Sequence, residues 1–100
     1  MPSKPGKSFR LSPLAEADLE GIWRYTLAQW SLAQADAYLR DLMAAFQSLS
    51  SGARQGKATH VRPGYCKYLC GSHVIYYRDH ADRLDVIRVL HQRQDAERNL

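Results

Sequence analysis

One hundred residues make a single domain, and a chain this short buries only about 60 to 70% of its unfolded surface, so its core is modest. The hydrophobic fraction of 45% suits a globular protein, and no stretch approaches the roughly 20 apolar residues of a helical membrane span. The net charge of +4 lies wholly in the second half, because residues 1–51 hold five basic and five acidic side chains while residues 52–100 hold nine and five. A basic half favours an acidic partner, whether nucleic acid, a nucleic-acid enzyme or an acidic protein segment, unless it serves solubility alone.

The first seven residues, Met1 to Lys7, lack the apolar core of a signal peptide and read as a flexible lead-in, which places the chain in the cytoplasm and the domain at residues 8–100. Ser8 to Leu11 alternates polar and apolar side chains, as a short strand does. Ser12 before Pro13 is the pairing expected of an N-cap followed by proline at the first helical position. Leu19, Ile22, Trp23, Thr26 and Trp30 then share one helical stripe, and Glu20 and Arg24 form a four-apart pair on the wet side. Both tryptophans are expected in the core, with their indole N–H groups seeking acceptors at its rim.

A second helix starts at Ser31-Leu32-Ala33-Gln34, which fits a capping box. Ala35, Tyr38, Leu39, Leu42, Phe46 and Leu49 keep its period until Ser50-Ser51-Gly52 ends it. Beyond Gly52 the period falls to two. Pro63-Gly64 supplies a turn before a strand at Tyr65 to Cys70; Gly71 separates it from His73 to Arg78, and Asp79 to Asp82 leads into Leu84 to Leu90. Tyr76 and Tyr77 face opposite sides, one into the core and the other onto the open sheet face. The order β-α-α-β-β-β, with a polar tail, predicts an α+β fold: an antiparallel sheet with a helical hairpin packed on one face.

Cys66 and Cys70 are four apart in a strand, about 13 Å by backbone rise, too far for a disulfide. Neither they nor His60, His73, His80 and His91 show the close spacing of a metal site, so no metal or cofactor is expected.

Several motifs in this order carry more than their local meaning: Leu11-Ser12-Pro13-Leu14-Ala15-Glu16-Ala17-Asp18-Leu19, Ile22-Trp23-Arg24-Tyr25-Thr26, Arg62-Pro63-Gly64, Gly71-Ser72-His73-Val74-Ile75-Tyr76-Tyr77-Arg78, and Val89-Leu90-His91-Gln92-Arg93-Gln94-Asp95. Together, from about Phe9 to Leu100, they resemble the ParE toxins of bacterial toxin–antitoxin modules. The motif near the end often has methionine where this chain has Gln94. The resemblance implies a toxin that poisons DNA gyrase by binding, without catalysis of its own, and that a ParD-type antitoxin neutralises in a hetero-oligomer. It implies neither membrane attachment nor sequence-specific DNA contact.

An alternative within the same superfamily is a RelE-like, ribosome-dependent messenger ribonuclease. Cleavage through a 2′-hydroxyl needs a base, a cation at the phosphate and an acid for the leaving oxygen. His91, Arg78 and Arg62 are the candidates, although no base is evident. For gyrase binding, the target contacts fall to Arg62, Arg78, His91 and Arg93, and the antitoxin contacts to Trp23, Trp30, Tyr38 and Tyr76. Plainer readings compete: His91 as a strand-end histidine bonded to backbone, and Arg62 as the ion-pair partner of Asp79 or Asp85. A third class is a relative that has lost toxicity and serves as an interaction module.

Overall fold

The computed structural model describes residues 7–100; most of the expected lead-in lies outside them. Its last residue, Lys7, forms an ion pair with Asp79. Strand β1 (Ser8–Leu11) leads to helix α1 (Pro13–Gln29), helix α2 (Leu32–Ser51) and strands β2 (Lys57–Ala58), β3 (Cys66–Cys70), β4 (His73–Asp79) and β5 (Arg83–His91), and a single turn, α3 (Ala96–Asn99), follows.

The helix ends form as their residues dictate. Ser12 Oγ accepts from Ala15 N at 2.9 Å, and Ser31 Oγ accepts from Gln34 N at 3.1 Å. Gly52 closes α2 at φ 84°, in the left-handed region that glycine enters without cost. Arg24 and Glu20 pair at 2.6 Å on the outer face of α1.

The sheet runs β1-β5-β4-β3-β2 and is mixed, because β1 pairs parallel with β5 (Ser8 beside Arg83, Leu11 beside Val86), whereas the other pairings are antiparallel. This corrects the wholly antiparallel expectation. The two-residue β2, hidden in a polar loop, adds one reversal of the chain before the β3-β4-β5 meander, and one extra reversal turns β5 from antiparallel to parallel with β1. The Arg62–Tyr65 turn behind β2 closes with Tyr65 N donating to Arg62 O, and Gly64 takes φ 83°.

The helical hairpin covers one sheet face. Ala15 and Leu19 from α1, Leu42, Ala45, Phe46 and Leu49 from α2, and Ile75, Tyr77, Leu84, Val86 and Val89 from the sheet form the core. Phe46 is fully buried, with its ring 5.6 Å from that of Phe9. Trp30 departs from expectation at 71% exposed. The stripe phase would carry it inward, but α1 ends at Gln29 and the chain swings out at Trp30 (φ −130°, ψ −93°) before Ser31 caps α2. Tyr77 faces the core, its Oη accepting from Gly56 N at 2.8 Å. Tyr76 lies on the opposite face yet is only 7% exposed. Its cross-strand partners are Lys67 and Arg88, whose aliphatic stems can flank the ring on both sides.

Candidate functional site

Two clusters hold the side chains with chemical potential, and they sit at opposite ends of the sheet. The first is built on Tyr38. Gly71, in the turn between β3 and β4, takes φ 60°, and a Cβ there would come within 2.6 Å of Tyr38 Oη, so glycine allows the turn to close onto the ring. Tyr38 Oη accepts from Ser72 N at 3.0 Å and lies 2.6 Å from His73 Nδ1 and 3.3 Å from Cys70 O. The phenol has one proton and two acceptors in reach, Cys70 O and Nδ1, so the His73 tautomer sets the direction of the short contact. Burial first, and then the neighbouring His91, holds the His73 pKa below its ordinary value. The His73 and His91 rings, cross-strand partners, meet edge to face at 5.4 Å. Beside them opens a groove of about 470 Å³, lined by Tyr25, Trp30, Gln34, Asp41, His73 and His91 among others.

The second cluster gathers on Tyr65. The guanidinium carbons of Arg62 and Arg78 lie 5.6 Å and 5.5 Å from its ring centroid, within cation–π range. Arg62 pairs with neither acid expected of it: Asp79 holds Lys7, and Asp85 holds Arg83 at 2.9 Å and His80 at 3.1 Å. His91 sits opposite His73, five positions along β4 from Arg78, or about 16 Å of strand. The three residues proposed for RNA cleavage are therefore divided, Arg62 and Arg78 at one end and His91 at the other. His91 Nδ1 accepts from Arg93 N at 3.1 Å, as a strand-end histidine bonded to backbone would. Arg93 itself is exposed in the following turn.

The four residues considered for an antitoxin divide three ways. Trp23 is half-buried; its Nε1 donates to Asp36 Oδ1 at 3.0 Å, and it lines an apolar groove of about 370 Å³ with Leu11, Leu19, Leu39 and Met43. Trp30 and Tyr38 line the groove beside His73. Tyr76, nearly buried, presents little surface to a partner.

Sequence reading missed the pair that joins the helices to the sheet. Arg88 donates to Asp18 from Nε at 2.8 Å and from Nη2 at 2.9 Å, while Val89 N donates to Asp18 Oδ2 at 2.9 Å and Arg88 Nη1 to Asn99 O at 2.7 Å. The available signal was an acid on the inner stripe, Asp18 beside Leu19 and three after Ala15, because a carboxylate facing a core must be paired. Cys66 and Cys70 are free thiols, and burial pushes the Cys70 thiol up, away from nucleophilic reactivity. Among the described residues, no three histidine, cysteine, aspartate or glutamate side chains converge as metal ligands.

Comparison with known proteins gives a consistent answer. The family model described as ParE toxin of type II toxin–antitoxin system matches residues 9–96. The chain is 46% identical over 94 residues to Toxin ParE1 of Mycobacterium tuberculosis (strain CDC 1551 / Oshkosh), covering 92% of this chain and 96% of the relative. Against Toxin ParE1 of Caulobacter vibrioides it is 39% identical over 95 residues, covering 94% and 98%. Two solved structures share the fold: the chromosomal ParDE system from P. aeruginosa (TM-score 0.75, 16% identity, 85% of this chain and 95% of that one) and the RelBE2 toxin–antitoxin complex from Mycobacterium tuberculosis (TM-score 0.59, 22% identity, 88% and 100%). With a family model over almost its whole length and relatives matched nearly end to end, the chain belongs to the ParE toxin family of type II toxin–antitoxin systems.

Proposed function

We propose that the protein is a cytoplasmic toxin that poisons DNA gyrase by binding, and that a ParD-type antitoxin neutralises it. The observation that carries this reading is the separation of His91 from Arg62 and Arg78 along the sheet. Acid–base cleavage draws on groups within hydrogen-bond reach of one substrate, and a separation of about 16 Å along the strand favours binding over cleavage by these three residues. Binding demands no such convergence. The helical hairpin supports the antitoxin half of the proposal: Leu14, Tyr25, Leu27, Trp30, Leu32 and Met43 are all exposed on it or at its turn. Grooves lie beside it at Trp23 and at Tyr38. An amphipathic segment that folds on contact could seat apolar anchors there.

The test is His91→Gln, which keeps polarity and approximate size. If the toxin acts by binding, the variant loses no more than one hydrogen bond, about 0.5 to 1.5 kcal/mol, or roughly tenfold in potency. A folded His91→Gln protein weakened by about a hundredfold or more would instead mark His91 as a proton donor and overturn the reading.

A further inference from the structure

The sheet face turned away from the helices carries a charge pattern that neither the core nor the grooves at Trp23 and Tyr38 use. Strand register places Arg10, Lys67 and Arg78 on this face, each next to residues of the helix-facing core; Lys57 shares the face through its pairing with Lys67, and Arg62 joins them over Tyr65. Arg83 lies here too, but it is neutralised by Asp85, the one acid at these positions. Among the described residues Lys57, Arg62, Lys67 and Arg78 form no ion pair, and Arg10 reaches Asp85 only at 3.8 Å. Lys57 and Lys67 stand directly opposite each other, an arrangement of like charges that costs stability. From Arg10 on β1 to Lys57 on β2 the cations span about 19 Å at the usual strand spacing, with the Arg83–Asp85 pair between them on β5.

We propose that this face binds the phosphate backbone of double-stranded DNA without regard to sequence. Charge and apolar anchors are segregated on the molecule. Of the seven exposed large hydrophobic side chains among the described residues, six lie on the helical hairpin or its turn, and Leu69 lies on the charged face. A protein interface draws its energy from buried aromatic and aliphatic anchors, whereas a phosphate backbone needs only distributed cations on a firm surface. A single strand would also want open aromatic faces for its bases, but Tyr65 is engaged by two arginines and Tyr76 is buried. A stiff duplex laid across a rigid sheet needs neither. Backbone contact without base readout is also compatible with no sequence preference.

The experiment uses the full chain and fluorescein-labelled duplexes of about 20 base pairs in two unrelated sequences, with anisotropy read between roughly 50 and 200 mM salt. Both sequences should bind equally, with a log–log salt slope of about −3 to −4.5, as three to five phosphate contacts give; affinity then falls about 60- to 500-fold across that range. Lys67→Ala should flatten the slope by about one with an unchanged melting temperature, while Arg40→Ala, which removes an exposed cation from the helical hairpin, should leave the slope alone. Equal effects of the two variants would reduce the binding to net charge and overturn the proposal. So would a slope near zero, a strong preference for one sequence, or tighter binding of single-stranded DNA, duplex RNA or poly-glutamate than of the DNA duplex.

Discussion

Removing the Asp18 carboxylate should be among the most damaging single changes in this protein. Asp18 and Arg88 are only 14% and 15% exposed at their side chains, and the carboxylate accepts two bonds from the guanidinium and one from Val89 N. Asp18→Ala strands a mostly buried cation and a backbone N–H together. Loss of one partner of such a pair costs about 3 to 5 kcal/mol, out of a total stability of about 5 to 15 kcal/mol for a domain of this kind. Asp18→Asn keeps an acceptor for Val89 and should cost less. The double variant Asp18→Leu with Arg88→Met removes both charges and should recover more than half of the loss. Urea unfolding at neutral pH, extrapolated linearly to water, measures all three. A loss below about 1 kcal/mol for Asp18→Ala, or a double variant no more stable than the single one, would refute the view that this pair fastens α1 to β5.

Three other outcomes are expected. Phe46→Ala, at the fully buried centre of α2, should cost about 3 to 5 kcal/mol and abolish toxicity by unfolding; full toxicity with an unchanged melting temperature would exclude that packing. Gly71→Ala should loosen the groove wall, because its φ of 60° disfavours a side chain and the new Cβ would strike Tyr38 Oη; a thermal melt identical to the parent's would contradict this. Stability should also fall as pH drops through the unfolded histidine value of about 6.5, because His73, packed against Tyr38 and His91, has a lowered folded pKa, so the unfolded chain binds the proton more readily. Melting temperatures at about pH 7.5 and pH 5 measure the effect, and His73→Gln should shrink the difference.

Local chemistry made much of this fold legible. Ser12-Pro13, Ser31 and Gly52 announce helix ends because each satisfies backbone groups that every helix leaves orphaned, and those ends formed where expected. Pro63-Gly64 and Gly71 likewise marked the turns that bound β3. What stayed hidden depends on partners far apart in sequence. Asp18 meets Arg88 across 70 positions and Tyr38 meets His73 across 35, beyond any helical or hairpin spacing rule. β2, at two residues, is too short to show a period, and missing it reversed the expected direction of β5 relative to β1. Trp30 kept the phase of its stripe but stood one residue past the end of the helix that would have buried it. The basic face shows the same limit, because the second-half charge was countable while the alignment of Lys57, Lys67 and Arg78 on one face required the register.

The most direct test of toxin action is gyrase supercoiling of relaxed plasmid in the presence of the purified full chain. Binding to gyrase predicts that supercoiling stops and that cleaved plasmid accumulates at high toxin ratios, with ribosome-bound message left intact. Undisturbed supercoiling, together with cut message on ribosomes, would contradict gyrase poisoning and assign the protein to RNA cleavage.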